Sequence, residues 1–160
     1  MFSVRRIALA LGLSIATAAM ALPSAAQDVE LPYWASIDTP EANMRAGAGE
    51  QFPIVWVYRR ENLPVKVVRL MQGWRYVEEP DGSTGWISAS LLSRQRTAIV
   101  TGEDLAAMRD EPAGAGELRW NLEPGVVGLL GDCSEGWCEL DVDGHVGWVD
   151  QSRLWGAGEP

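Results

Sequence analysis

Internal repetition is the feature that most constrains this chain. GWRYVEEPDGSTGWI (73–87) and GWCELDVDGHVGWV (136–149) both open on Gly-Trp, pass through Asp-Gly and close on Gly-Trp plus a β-branched residue. Met44-Arg45 recurs as Met108-Arg109, Gly73-Trp74 as Gly136-Trp137, Gly85-Trp86 as Gly147-Trp148, and Leu92 as Leu154. The offsets are 64, 63, 62 and 62 residues. Leu63-Pro64-Val65 has a looser echo in Pro124 to Val127. So small a drift is loop trimming inside one shared fold. The split falls near Leu92 to Thr97, giving halves of about 60 residues. Domains of that size fold alone only marginally, and two docked copies support each other.

The first 26 residues are set apart from this pattern. Arg5 and Arg6 precede an apolar, alanine-rich run from Ile7 to Leu22, and Ser24 and Ala26 suit a signal-peptidase site. This is a secretory signal cleaved after Ala26. The run is too short and too alanine-rich for a membrane span, which needs about 20 strongly apolar residues. Cleavage leaves 134 of the 160 residues and removes two arginines and no acid, taking the net charge from −9 to −11. An acidic chain lacks the clustered cations that nucleic acid requires. Its charge favours a soluble monomer.

The remainder reads as short strands. Glycine and proline punctuate it every several residues, with β-branched and aromatic runs between them. One stretch, TGEDLAAMRDEP (101–112), is expected to form a short helical turn. Asp143-Gly144, flanked by alternating residues, is the strongest hairpin signal. A two-residue turn there sets Val142 opposite His145, Leu140 opposite Gly147, Glu139 opposite Trp148 and Cys138 opposite Val149. Side chains alternate across a strand. Cys138, Leu140, Val142 and Val149 therefore share a core face, and Trp137, Glu139, Asp141, Val146 and Trp148 share the other. Under the offset, Val77 and Ile87 point inward in the first half, and Trp74, Tyr76 and Trp86 outward. The glycine before each tryptophan permits a bulge or a close backbone approach.

These residues resemble a known family. NMRAGAGEQFPIVWVYRRENLPVKVV (43–68), GWRYV, GWI, RTAIV (96–100) and LEPGVVGLLGDCSEGWCELDVDGHVGWVDQSRLWG (122–156) are similar to tandem bacterial Src-homology-3-like (SH3-like) proteins of the exported alphaproteobacterial kind. The usual Met/Leu-Arg-x-Gly-Pro opening departs here, with Ala48 at the proline position and Phe52 in place of the tyrosine before Pro53. The resemblance implies an all-β chain of two small, strongly bent antiparallel barrels, each of five to seven strands. The expected organisation is a signal peptide (1–26), a lead (27–34), repeat one (35–94), repeat two (95–157) and a tail (158–160).

Eight tryptophans stand against three tyrosines and two phenylalanines. Three sinks compete for them: the cores, the seam between repeats and a ligand groove. Trp56 and Trp155 are expected in core or seam, and Trp137 and Trp148 in seam or packing. Trp74 and Trp86 are divided between groove and packing. Cys133 and Cys138, a C-x4-C pair in an exported chain, are expected to form a structural disulfide across a four-residue hairpin loop. His145 follows a turn and is expected in solvent, too far along its hairpin to activate a thiol. The carboxylates Glu78, Glu79, Asp81, Asp141, Asp143 and Asp150 read as solvated turn residues rather than a glycosidase pair or a calcium loop. Arg45, Arg59, Arg60 and Arg75 either pair with a ligand carboxylate or balance charge.

The expectation is a non-catalytic cell-envelope module, periplasmic or secreted, with no cofactor and no metal. Its ligand would be a peptidoglycan stem peptide or an extended segment of a partner protein. Trp74, Tyr76 and Trp86 would form an apolar platform, with Arg45 and Arg75 making ionic contacts. The alternatives are a scaffold whose tryptophans all lie in the seam, and, more remotely, an enzyme.

Overall fold

Alternating apolar and polar residues, cut by turns, form two seven-stranded antiparallel sheets in a computed structural model that describes residues 29–160. The segment expected to be a signal peptide, residues 1–26, lies outside the described residues. The first sheet contains β1 (Tyr33–Ile37), β2 (Ala42–Arg45), β3 (Ile54–Tyr58), β4 (Pro64–Met71), β5 (Trp74–Glu78), β6 (Thr84–Ser88) and β7 (Leu92–Ser93), in the order β3-β2-β6-β5-β4-β1-β7. The second contains β8 (Thr97–Val100), β9 (Ala106–Arg109), β10 (Leu118–Leu122), β11 (Val127–Ser134), β12 (Trp137–Val142), β13 (His145–Asp150) and β14 (Leu154–Trp155). Its order, β10-β9-β13-β12-β11-β8-β14, is the first order advanced by seven. The chain is therefore all-β, with two SH3-like units in tandem.

The two cores match position by position. Ala35, Ile37, Ala42, Met44, Tyr58, Val77 and Ile87 correspond to Ala98, Val100, Ala106, Met108, Leu122, Leu140 and Val149. These pairs keep the spacing of 62 to 64 residues seen in the motifs. Val67, Val77, Ile87, Met108, Leu140 and Val149 are sealed from solvent. Burying each such side chain stabilises the fold by roughly 1.5–3 kcal/mol.

The β12–β13 register is the one the Asp143-Gly144 turn dictates, with Cys138 opposite Val149 and Glu139 opposite Trp148. Asp143 and Gly144 both have positive φ, at 53° and 87°, as a primed two-residue turn requires. In the first sheet, Tyr76 opposes Trp86 and Arg75 opposes Ile87, so the longer 79–83 turn introduces no slip.

Two expectations are corrected. Residues 101–112 hold no helix: Ala106–Arg109 is a strand whose Ala106 and Met108 alternate into the core while Leu105 is exposed. Met108-Arg109 there repeats the strand role of Met44-Arg45, so the sheet outweighs local helix propensity. The cysteine hairpin is also tighter than expected. Ser134 pairs with Trp137, leaving a two-residue turn at Glu135-Gly136, both with positive φ. Cys133 and Cys138 are the next pair out, with Cα atoms 4.0 Å apart, and they form the disulfide.

The sheets meet at a seam. The Trp34 and Trp155 rings pack edge to face at 5.1 Å, and Lys66 Nζ sits 5.3 Å from the Trp155 ring. Trp34 Nε1 donates to the Gly158 carbonyl at 3.1 Å, and Arg60 Nη1 to that of Gly125 at 2.8 Å. Trp155 thus occupies the seam, as the sequence suggested.

The Gly-Trp pairs use glycine in two ways. Gly73 and Gly136 sit in turns at φ of 72° and 80°. Gly85 and Gly147 leave room instead: a Cβ on either would collide with the side chain of Met44 or Met108. This ties the repeated Met-Arg motif to the repeated Gly-Trp motif. Gly85→Ala, whose Cβ would meet the Met44 side chain before any backbone atom, should therefore lose about 1–3 kcal/mol of unfolding free energy through overpacking. In a Met44→Ala background the same change should cost far less. A denaturant-based double-mutant cycle measures this coupling, and simple additivity would refute the contact.

Candidate functional site

Strands β5 and β6 carry the residues singled out in the sequence. Alternation puts Trp74, Tyr76, Thr84 and Trp86 on the outer side, because Arg75, Val77 and Ile87 take the inner one. The Tyr76 and Trp86 rings lie 5.0 Å apart at 50°, and Arg69 covers Tyr76 at 5.2 Å. Tyr76 Oη donates to Thr84 Oγ1 at 2.8 Å.

Not every expected residue joins this surface. Trp86 is only 8 % exposed. It sits against Tyr76 and pairs across strands with Arg45, so it is a floor rather than an open platform. Arg45 Nη1 donates to the carbonyls of Glu50 and Phe52 at 3.1 and 2.8 Å, which anchors the 46–53 loop. Arg109 repeats the device by donating to the Gly116 carbonyl. Arg75 lies on the opposite face of the sheet. Its Nε donates to Tyr33 Oη at 3.0 Å and its Nη1 to the Trp74 carbonyl at 2.9 Å. Arg59 pairs with Glu41, so the four arginines close in sequence are dispersed by the fold.

The structure adds residues that the sequence reading placed elsewhere. Trp56, expected in core or seam, is 59 % exposed on the edge strand β3, beside exposed Ile54, Val55 and Val57. Five apolar residues in a row, IVWVY, form this strand. Only Tyr58 is buried, because β3 ends its sheet. A recess of about 330 Å³ opens beside it, lined by Met44, Val55, Trp56, Glu79, Asp81, Ser83 and Thr84. Thr84 belongs both to the recess and to the Tyr76 side of the sheet, so the two form one continuous surface.

The other candidates have structural duties. His145 lies at the turn with its ring 4.4 Å from that of Trp120, and its Nδ1 is 3.1 Å from the Val142 carbonyl. Asp141 Oδ1 accepts from Gly144 N, and Asp150 Oδ1 from Ser152 N and Oγ. Among the described residues no cluster of three or more His, Cys, Asp or Glu could hold a metal.

Glu79 is the polar wall of the recess with perturbed chemistry. Burial pushes its carboxyl above the ordinary range and outweighs the Tyr58 hydrogen bond, which lowers it, while the Asp81 charge adds to the rise. A raised folded-state value adds stability below the unfolded value, near 4.3, and that stability fades as pH rises through the folded one. Glu79→Gln should therefore raise Tm relative to the native protein at pH about 7, with the gain shrinking toward pH about 4. Thermal melts across that range check the sign. A gain that grows on acidification would contradict it.

Comparison with known families supplies the identity. A family model described as the bacterial SH3 domain matches residues 38–94 and again 102–156. Comparison with curated proteins finds no match. Among solved structures, NlpC2 and NlpC1 from Trichomonas vaginalis are 13 and 14 % identical, each with a TM-score of 0.36. Those alignments cover 80 and 82 % of this chain and 49 and 48 % of theirs. An NlpC/P60 family protein from Bacillus cereus is 11 % identical, with a TM-score of 0.34 over 76 % of this chain and 55 % of its own. The chain spans about half the length of these structures. The two family matches fall on the two sheets, one on each, and the chain belongs to the bacterial SH3 domain family, carrying that domain twice in tandem.

Proposed function

We propose that this protein is a non-catalytic recognition module of the bacterial cell envelope, periplasmic or secreted, whose first sheet binds an extended peptide. The ligand is a peptidoglycan stem peptide or an extended segment of a partner protein. The observation carrying this reading is the exposed apolar edge strand, Ile54 to Val57, beside the recess that Trp56 lines. An edge strand offers unpaired backbone groups to an added chain, and an adjacent recess can read one of its side chains. Trp74 and Tyr76 extend the contact along the outer face, Trp86 supports Tyr76 from beneath, and Arg45 holds the neighbouring loop in shape. Glu79 and Asp81 suit the recess to a ligand amine. Export agrees with the Cys133–Cys138 disulfide, which persists in oxidising compartments.

The scaffold alternative required the tryptophans to be consumed in the seam. Trp34 and Trp155 pack edge to face there, whereas Trp56 stands in solvent, Trp120 meets His145 and Trp137 lies against Gly114.

Purified peptidoglycan should retain the native protein in a pull-down. Trp56→Ala and Trp74→Ala should each weaken retention about tenfold or more, as truncating an aromatic anchor does, with circular dichroism unchanged. Absence of retention by the native protein removes the wall-peptide reading. Full retention by both variants removes this surface.

A further inference from the structure

A second surface, on the other side of the first sheet, has the chemistry of an anion site. Three arginines line one open basin of about 1150 Å³ formed by the lead, the junction and the tail: Arg75, Arg94 and Arg96, together with Tyr33. Tyr33 holds two of them. Its hydroxyl accepts from Arg75 Nε at 3.0 Å, and the Arg94 guanidinium lies over its ring at 3.8 Å. Arg96 Nη2 is tied to the carbonyls of Gly156 and Gly158 at 2.8 and 3.2 Å.

Their donors are not spent. The guanidinium of Arg94 donates no hydrogen bond among the described residues, and Arg75 and Arg96 each keep one terminal nitrogen unused. Arg96 Nε is buried with no hydrogen-bond partner among the described residues. The ion pairs among the described residues are Arg59–Glu41, Lys66–Glu78 and Arg119–Asp110, so none of the three arginines makes a direct ion pair there, although Glu30, Glu159 and Pro160 also line the basin. Three neighbouring arginines outside any direct ion pair are unexpected in a chain with 22 acids and 13 bases. Burial and the Arg94 charge hold Arg96 below its ordinary range, so the group gains from any anion that settles there.

We infer that the basin lined by Tyr33, Arg75, Arg94 and Arg96 binds a ligand carrying at least two oxyanion groups, carboxylate or phosphate. Forked guanidinium donors match both geometries, and a ligand with several charges can engage more than one arginine at once. The site shares no residue with the Trp56 recess, so it stands or falls separately from the peptide-binding proposal.

Isothermal titration of the mature protein with citrate and with pyrophosphate at low ionic strength tests it. One of the two should bind with one-to-one stoichiometry, and the preferred one identifies the carboxylate or the phosphate source. Arg94→Gln should weaken that binding about tenfold or more, since it removes a full set of charge-assisted donors. Arg59→Gln, which changes the net charge equally but lies outside the basin, should leave binding within about twofold. Arg94 is chosen because no backbone carbonyl depends on it. Binding of neither anion overturns the inference, as it would if Glu30 or Glu159 already filled the site in solution. Equal binding by Arg94→Gln and the native protein overturns it too.

Discussion

Strand register governs this molecule. One residue of slip in a hairpin exchanges the two faces of the slipped strand. In the second sheet, Asp143-Gly144 and Glu135-Gly136 remove that freedom by turning in two residues of positive φ. In the first, the 79–83 turn closes with the Glu79 amide on the Ser83 carbonyl, and Asp81 Oδ1 accepts from Ser83 N. Both devices give the same result. Valine, isoleucine and leucine enter the cores, and the ring-bearing residues of the Gly-Trp segments turn outward. The outer face carrying Trp74, Tyr76 and Trp86 follows from that assignment.

Within the shared frame the repeats have diverged in chemistry. Leu70 opposite Arg75 in the first corresponds to Cys133 opposite Cys138 in the second. The covalent link braces one hairpin end, whereas the other sends a guanidinium toward Tyr33 and into the basin. Tyr76 opposite Trp86 likewise corresponds to Glu139 opposite Trp148, so a ring pair in one repeat is a carboxylate and a ring in the other. The first repeat thus concentrates apolar and cationic surface, and the second contributes a disulfide and half of the seam.

Much of this was legible in the residues. The offset put Val77 and Ile87 inward as counterparts of Leu140 and Val149, and Asp143-Gly144 set the β12–β13 register, including four of its six pairs by name. What escaped was whatever depends on sheet order rather than spacing. IVWVY cannot show that its strand lies at an edge, so Trp56 was expected in core or seam. Arg75 is a different case: the alternation that sends Trp74 and Tyr76 outward already places it on the other face, opposite Ile87, apart from the platform it was expected to serve. Arg94 and Arg96 carried no motif, and only the meeting of the lead, junction and tail makes them neighbours of Arg75. In 101–112, helix-favouring alanines masked a strand that the sheet imposes.

The most direct test of the central claim is a nuclear Overhauser measurement across the two Gly-Trp hairpins. Non-hydrogen-bonded antiparallel partners bring their Cα atoms within about 4.5 Å, so their Hα protons give strong cross-peaks. The structure requires such peaks between Tyr76 and Trp86 and between Glu139 and Trp148. Peaks displaced by one residue, such as Glu139 to Val149, would turn the rings inward and contradict the whole assignment.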